Sequence, residues 1–179
     1  FERTGQHHEL GGTYHQIGMV WAEQREWPKA LDAYTTALDW FERTGQHHQL
    51  GITYHQIGMV WAEQREWTKA LDAYTTAIDW TQRTDQHQQL GTTYHQIGIV
   101  WQQQREWTKA LHAYTTAIDW FERTGQHQHV GTTYHLIGMV WQLQREWTKA
   151  LDAYTTAIDW KQRTGQHQQL GTTYHQIGM

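Results

Sequence analysis

Histidine is the residue type best placed to do chemistry in this chain, and it is set out in register. Fourteen histidines occur among 179 residues. Ten of them form two ladders with a 40-residue step: His15, His55, His95, His135 and His175, and His7, His47, His87, His127 and His167. Imidazole binds transition metals, and it titrates near pH 6.5. Zinc ligands sit about 2.0–2.1 Å from the metal and usually come as close helical pairs. No His-x3-His pair occurs here, and packed helices lie about 8–10 Å apart. Each ladder therefore reads as a row of separate imidazoles, with no metal or other cofactor expected. Protonating all fourteen would take the formal charge from −4 to +10, so acidification toward pH 5 is expected to loosen any self-association.

The remaining chemistry is sparse. Cys, Ser and Asn are absent, which removes thiolates, a serine nucleophile and an Asn-linked glycan acceptor. Arg65-Glu66-Trp67 recurs in every repeat, and its neighbouring charges read as an ion pair or a cap. Asp72, Asp79 and Glu42 read as a solvated helix face. Nothing pairs a nucleophile with an oriented base, and no Gly-rich phosphate loop is present. No catalytic residue is assigned and no enzyme is expected. A net charge of −4 gives no basic footprint for nucleic acid. No apolar run approaches the roughly 18 residues of a membrane span, and no signal peptide is visible, so no membrane partner is expected. An extracellular fibre and a cytoplasmic protein both remain open. Charged residues make up 18%, below the roughly 25% usual for soluble domains. Such a surface repels its own copies weakly and favours association.

The elements that carry these residues repeat too. Units 1–40, 41–80, 81–120 and 121–160 are followed by a partial unit 161–179, and the first two differ only at Glu9/Gln49, Gly12/Ile52, Pro28/Thr68 and Leu38/Ile78. No linker or composition shift interrupts them, so one repeat domain, 1–179, is expected. A fixed period of this size marks a stacked array. Leu50, Tyr54, Ile57, Gly58 and Trp61 share one helical face and predict a helix A over about residues 48–64. Ala70, Leu71, Tyr74, Ala77, Ile78 and Thr81, with Phe41 and Phe121 equivalent to Thr81, predict a helix B over about residues 67–83. Pro28 marks the start of helix B in the first unit, because proline is tolerated only in a first turn. Gly45, Gly125 and Gly165 are expected as left-handed C-terminal caps, with the poorer Asp85 once in their place. Gly51 and Gly58 are expected to pair helix A closely with Ala70 and Ala77 of helix B. Phe1 is expected inside a helix B and Met179 inside a helix A.

Tyr54, Ile57-Gly58, Trp61, Ala70, Tyr74 and Ala77 resemble the tetratricopeptide repeat. The string returns in all four complete units, and Tyr174 and Ile177-Gly178 begin it again. The chain is thus similar to the tetratricopeptide family throughout, in a long 40-residue form without the family's closing proline. The resemblance implies an all-α, right-handed superhelical solenoid of antiparallel helix pairs without β-sheet. It also implies helix A along the concave side, and peptide or protein binding without catalysis.

If helix A lines a groove, the positions facing it are His15; Ile52, His55, Met59, Ala62 and Glu63; Thr92, His95, Ile99, Gln102 and Gln103; and Thr132, His135, Met139, Gln142 and Leu143. They vary more between units than the core does. A groove tuned along its length and simple surface drift both fit that variation. Trp40, Trp80, Trp120 and Trp160 close each helix B, either packed on the next unit's helix A or exposed as an aromatic row for another chain or a sugar ring. Thr75-Thr76, Thr115-Thr116 and Thr155-Thr156 are weak helix formers at exposed helical positions. They suggest a covered surface, an attached carbohydrate, or copied sequence without a role.

Two functions follow. Nearly identical units with a constant rotation and no polar cap predict head-to-tail association into a superhelical fibre, or a segment of a longer repetitive structural scaffold. The alternative is a peptide- or protein-binding sensor or adaptor module of a larger signalling protein.

Overall fold

The computed structural model describes residues 2–166 and 170–177, with side chains from Glu9 to Gln166 and from Leu170 to Gln176. The His7 side chain, His167, Gly178 and Met179 lie outside it, as does Phe1. Nine α-helices run through the described residues: α1 Glu2–Glu23, α2 Trp27–Arg43, α3 His47–Glu63, α4 Trp67–Arg83, α5 Leu90–Gln103, α6 Trp107–Arg123, α7 His127–Leu143, α8 Trp147–Arg163 and α9 Leu170–Ile177. No strand occurs among those residues, and the chain is an all-α solenoid of helix pairs. The odd-numbered helices are the expected helix A and the even-numbered ones helix B. One boundary differs. Residues 2–7 continue α1 as helix, where a helix B end and a turn were expected.

The helices divide into two compact units, Phe1–Gln89 and Leu90–Met179. The core of the first is built on Ala30, Tyr34, Ala37, Leu38, Phe41, Leu50, Ile57, Val60 and Ala73. The core of the second uses the corresponding nine positions two repeats on, from Ala110 to Ala153. Both combine a tyrosine and a phenylalanine from one helix B with a Leu or Val, Ile and Val stripe from the next helix A. That pattern buries a continuous apolar seam which no single pair could bury alone.

Glycine governs how closely each pair approaches, though its nearest partner is a helix B side chain, and the expected Ala77 meets Gly51 only through its carbonyl. A Cβ placed on Gly58 would lie 2.5 Å from Cε1 of Tyr74, and one on Gly18 2.6 Å from the Tyr34 ring. The flat ring therefore packs on bare helix A backbone. At the other glycine, Gly11 and Gly91 face Phe41 and Phe121, while Gly51 faces Thr81 and the Ala77 carbonyl. Small residues on helix A accommodate large rings on helix B, which fills more volume than Gly against Ala.

The turns end in left-handed residues at both kinds of junction. From helix B to helix A, Gly45, Gly125 and Gly165 have φ of 70–72° and Asp85 has φ 56°, as expected for these caps. Gln46 N–H donates to Phe41 O at 2.8 Å and Gly45 N–H to Glu42 O at 3.2 Å, a Schellman closure. The repeat with Asp85 enters its next helix through a short 3-10 turn, His87–Gln89. From helix A to helix B the same closure uses arginine: Arg25, Arg65, Arg105 and Arg145 have φ of 59–62°. Glu66 N–H donates to Trp61 O at 2.9 Å and Arg65 N–H to Ala62 O at 3.0 Å. Pro28 is the second residue of α2, where a missing N–H costs nothing.

Candidate functional site

Four histidines of the helix A ladder are packed into the fold, whereas His175 is exposed. His15 and His55 are buried, and His95 and His135 are half-buried, so these four are not exposed groove residues as expected. Each ring packs on the tyrosine of its own pair, at 5.5, 5.6, 5.9 and 5.3 Å between centroids for Tyr34, Tyr74, Tyr114 and Tyr154. Nδ1 of His15 lies 3.0 Å from Thr53 Oγ1, Nδ1 of His95 3.0 Å from Thr133 Oγ1, and Nδ1 of His135 3.1 Å from Thr173 Oγ1. Thr53 and Thr133 already give their hydroxyl hydrogens to the carbonyls of Gln49 and His129 at 2.9 Å. His15 and His95 must therefore carry the proton on Nδ1 and donate it. Burial lowers the pKa of all four rings, to about 4 for His55 and for His95. Acidification to pH 5 therefore leaves His55 and His95 neutral, contrary to the expectation that all fourteen charge together. Among the described residues no three His, Asp or Glu side chains gather as metal ligands.

Lys161 takes the position held by Phe41, Thr81 and Phe121. It is 3% exposed, donates from Nζ to Thr173 Oγ1 at 3.0 Å, and has its pKa lowered by burial. Thr173 Oγ1 thus lies within hydrogen-bond distance of both Lys161 Nζ and His135 Nδ1.

The Trp after each helix B is half-buried at Trp40, Trp80, Trp120 and Trp160. It is therefore not an open aromatic row. Trp80 meets His47 of its own repeat at 5.4 Å and Trp160 meets His127 at 5.6 Å, and the guanidinium three residues on covers each ring at 5.3–6.0 Å. At the elbow, Lys69 lies 4.4 Å from the Trp61 ring centroid and 3.5 Å from Glu66, so Glu66 pairs with lysine where Arg65 was expected. Thr75, Thr76, Thr115, Thr116, Thr155 and Thr156 donate their hydroxyl hydrogens to carbonyls one turn back at 2.8–3.0 Å. The helix itself thus engages those hydroxyls.

Among the other expected groove residues, Met59, Glu63 and Gln103 are exposed, and Ile52, Thr92, Thr132 and Met139 are half-buried. Met59 and Glu63 belong to a cavity of about 370 Å³ in the first unit, between α1, α2 and α3. Met19, Ala22 and Glu23 of α1 form one wall, and Tyr34 lies behind them on α2. The volume falls within the range of small-ligand and side-chain pockets. Sequence reasoning missed Met19, Ala22, Glu23 and Tyr34 here. The signal for them was the change from Ala22 and Ala62 to Gln102 and Gln142. Burial raises the Tyr34 pKa to about 12, with the Glu23 carboxylate adding to it. The Tyr34 hydroxyl is buried without a hydrogen-bond partner among the described residues.

No curated protein sequence matches the chain. Among solved structures it is similar to BtubC of P. vanneervenii, with TM-score 0.77, 18% identity, and coverage of 87% of this chain and 65% of that one. It is also similar to aspartyl phosphate phosphatase F of Bacillus subtilis, with TM-score 0.83, 16% identity, and coverage of 88% and 41%. For MamA the TM-score is 0.69 at 16% identity, covering 87% and 81%. The chain thus spans less than two thirds of the first two proteins, and at these identities the likeness establishes a shared fold, the TPR-like helical repeat. Residues 2–135 match the family described as SNAP, soluble NSF attachment protein, and because that stretch is well over half of the 179 residues, the chain belongs to this family.

Proposed function

We propose that the chain is a non-catalytic, long-repeat TPR-like scaffold that holds a peptide or protein segment in the groove of its first unit. The observation that carries this reading is the cavity between α1, α2 and α3, with Met19 and Met59 on its walls and Glu23 and Glu63 beside them. Methionine adapts to varied apolar partners, and the carboxylates add polar selection. The family description, an attachment protein, supports a protein partner. The test is a peptide array screened with the unmodified protein, each binder then retested with Met19→Arg and Met59→Arg. At least tenfold weaker binding is expected from both variants, and binders indifferent to both would refute the groove.

Self-association is the second reading. It is favoured by Leu143, Trp147 and Leu151, large apolar side chains exposed on adjoining turns of α7 and α8. Sedimentation velocity from micromolar to near-millimolar protein would show growing species that Leu143→Glu suppresses. A single unchanging species rules this reading out.

A further inference from the structure

The cavity of the first unit lies where the second unit keeps a glutamine. In repeats three and four, Tyr114 and Tyr154 donate their hydroxyl hydrogens to Oε1 of Gln102 and Gln142 at 2.6 Å. The corresponding helix A residues in repeats one and two are Ala22 and Ala62, and the hydroxyls of Tyr34 and Tyr74 are buried without a partner among the described residues. Tyr34 is 0% exposed, yet it stands with Ala22 in the cavity wall. Ala22 therefore offers Tyr34 no side-chain acceptor at the position where Gln102 and Gln142 supply one in repeats three and four. A buried hydroxyl without an acceptor is destabilising, so a ligand that supplies the acceptor recovers that loss.

We propose that this cavity receives the carboxamide side chain of a glutamine presented by a bound peptide. Its carbonyl oxygen accepts from the Tyr34 hydroxyl, as Gln142 does from Tyr154. Its amide hydrogens donate toward Glu23 and Glu63, which line the same cavity. The methylene stem lies against Met19 and Met59. A glutamate in this place brings a third carboxylate beside two others, and a lysine offers the tyrosine no acceptor. Arg25 also lines the cavity, and its positive charge weakens any preference for a cation. The assignment rests on the groove reading above and names the side chain that the groove selects.

The test uses the capped tripeptide acetyl-Leu-Gln-Leu-amide and its analogues with Glu, Lys or norleucine at the centre. Binding is followed through the NMR shift of the Trp27 indole N–H, since Trp27 lines the cavity. The glutamine peptide is expected to saturate at least tenfold more tightly than the norleucine peptide. Tyr34→Phe is expected to keep the fold and to erase most of that preference. Ala22→Gln is expected to fold as well, because Gln102 and Gln142 already occupy that position, and to abolish binding by filling the cavity. Tighter binding of the lysine peptide overturns the assignment, as does a glutamine preference unchanged by Tyr34→Phe or undiminished binding to Ala22→Gln. Equal binding of all four peptides leaves the groove standing and removes the glutamine. Saturation by none of them removes the groove as well.

Discussion

Tyr74→Phe and Tyr154→Phe are the same substitution in the same local sequence, since α4 and α8 read alike from Trp67 to Trp80 and from Trp147 to Trp160. They are nonetheless expected to differ in sign. The Tyr154 hydroxyl donates to Gln142 at 2.6 Å. Removing it forfeits one hydrogen bond, about 1 kcal/mol net. Gln142 is half-buried, so its freed amide is rehydrated and the loss stays near that value. The Tyr74 hydroxyl has no partner among the described residues. Its desolvation costs about 1–3 kcal/mol, and phenylalanine removes that penalty while losing a few atom contacts worth about 0.1–0.2 kcal/mol each. Tyr74→Phe is therefore expected to stabilise by about 1 kcal/mol, a difference of about 2 kcal/mol between the two sites. Tyr and Phe have similar helix propensity, so that term cancels. Equilibrium urea unfolding, followed by circular dichroism and compared at a common m-value, measures the difference. Equal losses at the two sites would mean that the Tyr74 hydroxyl is satisfied, and would refute the argument for Tyr34 with it.

Burial holds the His55 and His95 pKa values at about 4 against 6.5 in the unfolded chain. Their contribution is complete above pH 6.5, falls as the pH drops below it, and is gone once the pH passes below about 4; His55, 4% exposed, accounts for about 3 kcal/mol of the loss. Urea midpoints at pH 7.5, 5.5 and 4.5 test this, and a flat profile contradicts it. Arg65→Gly, at φ 59°, should raise stability by about 0.5–1 kcal/mol, because glycine adopts the left-handed region without the Cβ penalty; a lower thermal midpoint would show that the arginine side chain holds the turn. Lys161→Phe, which restores the residue found at Phe41 and Phe121 over the retained Gly131, should stabilise by about 1–2 kcal/mol by replacing a buried cation. A loss in chemical denaturation would show instead that the Lys161–Thr173 bond outweighs desolvation.

The repeat period makes the fold legible in the sequence. Pro28 and the glycines after Arg-Thr located the helix ends because backbone geometry restricts those residues strongly. Arg65 at a left-handed φ left no such trace, since arginine has no preference for that region. The Gly-to-ring packing was half visible. Gly58 signalled close approach, but only the spatial register of α3 against α4 shows that Tyr74, not Ala70 or Ala77, meets it.

The site was less legible because it depends on pairs. His55 looks like a groove residue on its own helix, and it becomes a core residue only when Tyr74 is seen against it. Ala22 is an unremarkable helix former until Tyr34 stands behind it with an unpartnered hydroxyl. In a chain of near-copies, the positions shared by all repeats report the packing that every repeat needs. A change between copies carries further information when its contact partner stays constant. Tyr34, Tyr74, Tyr114 and Tyr154 stay constant while the residue twelve positions before each is alanine in repeats one and two and glutamine in repeats three and four, so the same hydroxyl is satisfied in the second unit and, among the described residues, unpartnered in the first. Aligning the repeats and pairing each varying residue with its constant neighbour twelve positions on would have pointed to the cavity from the sequence alone.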